Sequence, residues 1–465
     1  MKRLLKQKWS VTAIAFVAAA AMVYAVTTFA NAEETVRGEL NEFEADDGRP
    51  SKYSITKPDG SEVPVKVKDK KLKLESGSEV EITGKKEKGG ITVAANKKNG
   101  KQKQKVITKR FNRTTGEKKV AVILTNFSND KSEPFTPDQV RDKVFTGSDS
   151  ANAYFKEASY GKMSLTGRNN PVGDVYGYYT IKKKDKGCLF SFKNDKRIKT
   201  YTREVRKAVK DSGVNLDGYD HTIYVMPRNS KCKRSDGQPL HGSADLNRSQ
   251  SWIYGYNLPF IYVHEIGHNL GVHHATSMSC KENGKKTAFP FDYEKCKITE
   301  YGDPFDIMGG RKDFDHLPHF NAERKVKFGW ISRNNAQTVT KDGVYTLRPV
   351  EAKSNDIQSL RLPWYRDETG EILDYLYLEY RDGTGFDSYL AGKKVTNGVT
   401  ARIDGDFDDL LYSFLMDASP RTKDVFDAPI GNGKQITDKI TGTVIKVEDV
   451  RDGRATVRIS GYRHP

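Results

Sequence analysis

His264-Glu265-Ile266-Gly267-His268-Asn269-Leu270-Gly271-Val272-His273-His274 is the stretch on which the reading of this chain turns. His264 and His268 stand four apart, so on a helix both imidazoles share one face and can reach one zinc ion. Glu265 lies between them, where a carboxylate can hold and deprotonate a water polarised by the metal. Gly271 can leave the helix with positive φ and swing His274 back as a third nitrogen ligand. Tyr262, Val263, Ile266 and Leu270 supply apolar flanks that bury the helix. A bare His-Glu-x-x-His arises by chance in long proteins, and satisfied core histidines on a packed helix are the bland alternative. Gly271 and His274 in register, with a methionine turn downstream, make the zinc reading far more specific.

That turn is Tyr301-Gly302-Asp303-Pro304-Phe305-Asp306-Ile307-Met308-Gly309. Pro304 and Gly309 favour a tight turn that places Met308 as an apolar floor beneath the histidines. Asp303 and Asp306 are expected to bond the turn backbone rather than a metal. Residues 275–300 read as a polar surface loop stapled by cysteines. The four cysteines, Cys188, Cys232, Cys280 and Cys296, allow three pairings, and local pairing favours 280 with 296 and 188 with 232. None forms the short pair that a cysteine metal site uses, and disulfides suit an exported protein. Beyond Met308, His316 and His319 are candidates for a substrate-pocket wall, although packing is the heavier expectation. Residues 321–328 read as a helix ending at Gly329-Trp330.

Upstream, Val120–Leu124 reads as a buried strand that opens the domain. Helices follow over 137–146 and 150–158, then strands over Met163–Thr166 and Tyr176–Ile181, a helix over Thr202–Asp211 and a strand over Thr222–Met226. This order, leading into the His264 helix, predicts a three-layer α/β arrangement. Two short extended pieces come just before that helix. Gly242, Ser243 and Ala244 belong to the first and Trp252 to the second, and both are candidates for the upper edge of a cleft that takes an extended peptide. Trp252 reads equally well as core. His221 reads as a packing residue and His241 lacks a partner at ligand spacing.

The flanks read as β. Residues 33–117 form a small β module followed by a basic linker, with strands expected at Tyr53–Thr56, Val63–Val67, Leu72–Leu74, Val80–Ile82 and Ile91–Ala94. From Lys97 to Lys119 there are ten Lys or Arg residues against one acidic residue, Glu117, which predicts an exposed tether. It suits the junction between a propeptide and a mature enzyme. The catalytic domain is assigned to 118–331 and a β-sandwich-like domain to 332–465, where Asp452-Gly453 marks a hairpin. Asp404, Asp406, Asp408 and Asp409 form a dense carboxylate cluster, but its spacing lacks a full calcium loop, so calcium is only weakly supported.

With 465 residues, two or three sizeable domains are expected. Residues 1–32 read as an export signal: a basic start, an uncharged apolar run from Val11 to Phe29, then Ala30-Asn31-Ala32. An uncleaved anchor is the alternative, since the run is nearly long enough to span a bilayer. Lys and Arg outnumber Asp and Glu by 78 to 61, a net +17, and the four basic residues of 1–32 leave +13 for the remainder. Such a charge suits anionic cell-wall or membrane surfaces. No phosphate loop and no basic-aromatic stripe points to nucleic acid.

The long zinc motif with Met308 resembles the metzincin clan of zinc peptidases, and its surroundings are most similar to the gametolysin or autolysin family, peptidase M11. The similarity is carried by Ser159-Tyr160-Gly161-Lys162, Tyr219-Asp220, Ser251-Trp252, His264 to Ala275, Tyr301 to Gly309, Phe320-Asn321-Ala322 and Gly329-Trp330, within residues 118–331. The resemblance implies a secreted zinc endopeptidase made with a propeptide. Two departures stand out. Residues 33–118 contain no cysteine, so latency through a zinc-bound propeptide cysteine is absent. Gly310 stands two residues after Met308, where astacin-like and serralysin-like enzymes carry a tyrosine. The register selects His274 as ligand, leaving His273 to face outward or touch substrate.

The expected function is hydrolysis of peptide bonds in extracellular or cell-wall proteins, with Glu265 as general base and then acid. A metal-dependent hydrolase acting on another bond is the next enzyme reading. A cell-surface or wall-binding protein with a relict zinc site is the alternative from another class.

Overall fold

The computed structural model describes residues 33–45, 52–57, 62–67, 79–87, 90–93, 104–108, 114–187, 196–233, 237–246, 248–290, 293, 296–310, 314–366, 372–407, 410–422 and 424–462. The fold is a sheet-rich mixture of strands and helices. The chain divides into two compact units, one running up to Glu42 with Ser51–Phe111, the other Phe43–Pro50 with Asn112–Pro465.

The first unit is built from β1 (Glu33–Ala45), β2 (Lys52–Thr56), β3 (Glu62–Val67), β4 (Glu79–Glu87), β5 (Gly90–Val93) and β6 (Gln104–Thr108). β4 lies antiparallel to β1, β5 and β6, while β3 pairs antiparallel with β2 and parallel with β5. Its core is small: Val36, Leu40, Ile55, Val65, Val80, Ile82, Ile91 and Val93. Two differences from the sequence reading appear here. β1 was not expected, and β6 lies inside the stretch read as an exposed tether. Within that stretch Lys105 stands opposite Glu81 and Val106 opposite Val80 in the backbone register. The strand expected at Leu72–Leu74 falls outside the described residues, as do the apolar run Val11–Phe29 and Ala30–Ala32. Among the described residues, no helix is long and apolar enough to cross a membrane.

The second unit opens with β7 (Gly116–Phe127), which also begins inside the expected tether. There follow α1 (Pro137–Arg141, continued by a π turn to Thr146), α2 (Ala151–Ala158), β8 (Met163–Thr166), β9 (Asp174–Ile181), α3 (Lys196–Asp211), β10 (His221–Met226), β11 (Gly242–Leu246), β12 (Gln250–Tyr254) and α4 (Pro259–Asn269). Parallel pairings join β7 to β8, β9 and β10, and β10 to β12, while β11 runs antiparallel to β12. A strand buried on both faces sends alternate side chains to opposite layers. Val120, Val122, Leu124, Ile223, Val225 and Ile253 therefore meet α2 and α4. Ala121, Ile123, Tyr224, Met226, Trp252 and Tyr254 meet Ile198, Tyr201, Val205 and Val209 of α3. Three layers result, with α4 on the front of the sheet.

After α4 come β13 (Ala275–Glu282), β14 (Lys285–Thr287), β15 (Lys297–Thr299) and α5 (Ala322–Lys327). The segment read as a surface loop is thus largely a hairpin. β13 pairs antiparallel with β14 and β15, and parallel with Ser413–Met416 of the strand Leu410–Met416. The residues next to His274 therefore enter the sheet formed by Ala336–Thr338, Ser359–Arg366, Ile372–Tyr380, Gly398–Phe407 and Leu410–Met416. A second sheet holds Gly343–Leu347, Gln435–Thr437, Val444–Arg451 and Arg454–Ser460. Its hairpin turns at Asp452 and Gly453, with φ of 51° and 64°, the doubly left-handed geometry that favours an Asp-Gly pair.

Candidate active site

Pro259 starts α4 at its first turn, where the missing N–H costs nothing, and every residue from Pro259 to Asn269 is buried. The helix stops at Leu270. Gly271, at φ 98°, donates its N–H to the His268 carbonyl, and the Val272 N–H bonds back to Gly267 O. This pair of bonds is a Schellman stop, which needs a left-handed residue that glycine fills without a Cβ penalty. Reversal of the chain there brings His274 back to the two helical histidines.

His264, His268 and His274 are all buried, and their ligand atoms lie within 4.8 Å of one another. Each Nδ1 meets an acceptor: Ile307 O at 2.9 Å for His264, Val272 O at 2.9 Å for His268, and Glu300 Oε1 at 2.6 Å for His274. Carbonyl and carboxylate oxygens only accept, so each Nδ1 is the donor, which leaves Nε2 as the nitrogen that can serve a metal. Three imidazoles oriented in this way are a donor set that fits zinc. Glu265 is fully buried beside them, and a Cβ on Gly242 would overlap its Oε1. Gly242 thus forms the wall against which the carboxylate rests.

The methionine turn is pinned from both sides. Met308 O accepts from Ala275 N at 2.9 Å, and Asp303 N donates to Ala275 O at 3.3 Å. A Cβ on Gly267 would strike Met308 Sδ, so the thioether sits directly on α4. The carboxylates of Asp303 and Asp306 accept from Phe305 N and Met308 N at 2.9 and 2.8 Å. Each also meets an arginine, Asp303 with Arg402 Nε at 2.7 Å and Asp306 with Arg324 Nε at 3.4 Å. Arg402 in turn reaches Glu379 at 2.7 Å and Arg381 reaches it at 2.9 Å. Burial pushes the Glu379 carboxyl up, but the two guanidinium groups outweigh it and hold it down at about 2.

For several candidates the packing alternative is the one the structure shows. Trp252 is not a cleft residue: it stacks on Tyr224 at 6.0 Å and its indole N–H meets Thr202 Oγ1 at 3.1 Å, in the layer behind the sheet. Ser243 shares that face, its hydroxyl 3.1 Å from the Tyr254 hydroxyl. Period-2 alternation separates these two from Gly242, and Ala244 is buried opposite Ser251. His319 is not a pocket wall either. It is fully buried, with Glu157 at 3.0 Å on Nε2 and Lys325 at 2.9 Å on Nδ1. Burial, with the charges of Lys325 and Arg381, holds its pKa well below the usual imidazole range. His273 is buried rather than turned outward. His316 stacks on Tyr389, and His241 packs between Tyr256 and Phe314.

Cys280 and Cys296 form a disulfide, and Cys232 is disulfide-bonded as well. Cys188 falls outside the described residues, as do Asp408 and Asp409 of the carboxylate cluster. Asp404 accepts the Tyr375 N–H within its sheet.

Three contributors escaped the sequence reading. Asn269 donates to Asp245 O and Gln250 O at 2.7 and 3.1 Å, and its Oδ1 meets Ser251 Oγ at 2.9 Å, tying the helix end to β11 and β12. Glu300 holds His274. The Tyr301 ring lies 3.9 Å from that of His274 and 6.2 Å from that of His264. A lone Asn after His268, or a Glu-Tyr pair before a glycine, carries no periodic signal.

Residues 119–289 match the family model of the gametolysin peptidases, M11. This stretch runs from β7 through all three histidines, and the match ends before Met308, short of the residue 331 that the motifs suggested. The similarity supports a metallopeptidase. No curated protein matches the chain. Among solved structures, wild-type OgpA from Akkermansia muciniphila is similar in two crystal forms, each with TM-score 0.30 and 12% identity over 59% of this chain and 74% of that one. A catalytically inactive OgpA in complex with an O-glycopeptide substrate, glycodrosocin, has TM-score 0.28 and 12% identity over 59% and 73%.

Proposed function

We propose that this protein is a secreted, metzincin-like zinc endopeptidase that cleaves extended segments of extracellular or cell-wall proteins. The observation that carries the reading is the set of three buried imidazoles with every Nδ1 committed to an acceptor, beside a buried glutamate. A purely structural site would have no use for that carboxylate. His264, His268 and His274 would hold the ion, which when bound supplies Lewis acidity at the scissile carbonyl and acidifies water. Glu265 then takes the proton from the attacking water and hands it to the leaving amine nitrogen. Gly242 leaves room for the carboxylate to do so, and Met308 supports the helix from beneath. Residues 1–32 act as the export signal and the 33–117 module as a propeptide, and the basic excess favours anionic surfaces.

The test is hydrolysis of a peptide panel, set against polysaccharide and ester substrates, before and after chelation. Peptide cleavage lost on chelation and restored by zinc is expected. Chelator-resistant cleavage, or zinc-loaded protein inert on every peptide, would contradict the proposal.

A further inference from the structure

The excursion between His274 and the methionine turn is a hairpin whose two ends meet at the candidate metal centre. It leaves as β13 immediately after His274 and returns as β15 immediately before Glu300. Ser277 pairs with Thr299, Met278 with Ile298 and Ser279 with Lys297. One step outward along that register stand Cys280 and Cys296, joined by the disulfide across 4.2 Å between Cα atoms. The cross-link therefore lies in line with the pairing and fixes it, and a one-residue slip would turn every returning side chain to the other face. In the fixed register Glu300 Oε1 meets His274 Nδ1 at 2.6 Å.

Tyr301 follows with φ 58°, a left-handed conformation that few residues other than glycine adopt. It lays the ring 3.9 Å from the His274 ring, tilted by 32°. Two glycines make room. A Cβ on Gly310 would come within 2.8 Å of Tyr301 Cβ, and one on Gly302 would overlap Ser277 Oγ. Gly310 also donates its N–H to Tyr301 O at 2.7 Å. Gly310, two residues after Met308, is thus the residue against which Tyr301, at the start of the same turn, is seated.

We propose that Glu300 and Tyr301 are the positioning residues of the third ligand, His274, the carboxylate fixing its tautomer and the ring its plane. This rests on the zinc reading above. His274 lies past the helix stop, outside α4, so its placement rests on contacts other than the helix's own hydrogen bonds. A carboxylate behind a ligating imidazole also raises its basicity, and loss of such a partner typically weakens metal binding about 10–100-fold.

Zinc affinity measured by chelator competition on the full chain, with the visible spectrum of the cobalt-substituted protein, tests the proposal. Glu300→Ala is expected to weaken zinc about 10–100-fold and to change the cobalt bands. Glu300→Gln, whose carbonyl still accepts from Nδ1, recovers much of the loss. Tyr301→Phe keeps wild-type affinity because the ring remains, whereas Tyr301→Ala loses affinity. Wild-type affinity and an unchanged cobalt spectrum in Glu300→Ala, or in Tyr301→Ala, would overturn the role of that residue. The glutamine and phenylalanine variants conserve shape and keep the test decisive if an alanine variant fails to fold: a small residual loss with shifted cobalt bands in Glu300→Gln supports the carboxylate's role, wild-type affinity with unchanged bands in Glu300→Gln overturns it, and a collapse of affinity in Tyr301→Phe overturns the ring's. Failure of the zinc reading looks different, because the wild type itself would then bind no stoichiometric zinc.

Discussion

At the scale of single residues, the site is organised by what lies behind each functional atom. Gly242 is the sharpest case. A methyl group there would occupy the place of Glu265 Oε1, in a region where both residues are fully enclosed. Gly242→Ala should therefore leave the three histidines able to bind zinc while moving the carboxylate. A displacement of about 1 Å at a reacting group can cost on the order of 10²-fold in rate. Measured kcat should fall by about that factor with zinc stoichiometry unchanged; wild-type kcat would show that the carboxylate finds its place regardless. The clustering of His264, His268 and His274, the burial of Glu265 beside them and the left-handed Gly271 were legible because four-residue spacing and a helix-stop glycine are local rules. Glu300 and Tyr301 were not, since their role follows from hairpin register across a 16-residue disulfide separation.

At the scale of elements, the methionine turn and α5 are joined to the C-terminal sheet by a buried polar network. Asn321 caps α5 through Arg324 N at 3.2 Å, while Glu379 accepts the Ala322 N–H at 2.5 Å. Lys325 is buried, bonded to His319 and to Val350 O at 2.5 Å, and burial lowers its pKa to about 7. Glu351 accepts from Asp382 N and Gly383 N, both at 3.0 Å, and burial raises its pKa to about 8. A raised folded pKa means that the folded state holds a proton the unfolded state has released. The contribution of Glu351 is thus complete below the unfolded value of about 4.3 and is lost as pH rises through about 8. Glu351→Gln cannot titrate, so its stability relative to wild type should improve between pH 5 and 8, by at most about 1.4 kcal/mol per pH unit. Denaturant midpoints across that range measure it; a difference flat with pH would contradict the assignment. Sequence could not reveal this network, because its members come from segments far apart in the chain and each reads alone as a surface charge.

At the scale of the whole molecule, the three-layer arrangement around β7 was legible from strand and helix order, since doubly buried strands announce themselves as apolar runs. Charge misled at the junction. The basic stretch 97–119 contains β6 and the start of β7, so a strand can form there despite a composition that favours solvent. Cleavage of the proposed propeptide must then fall outside those strands or open them. N-terminal sequencing of active secreted material should find a start between Lys97 and Lys119, whereas an active species beginning at Glu33 would show that removal is unnecessary. The central claim is that buried Glu265 moves protons at a three-histidine zinc site. Its most direct test sets the wild type beside Glu265→Gln, with zinc content and peptide hydrolysis measured on the same preparations. One zinc per chain in both, with turnover abolished only in the variant, is the predicted result; a zinc-loaded Glu265→Gln protein that still cleaves peptide would contradict it.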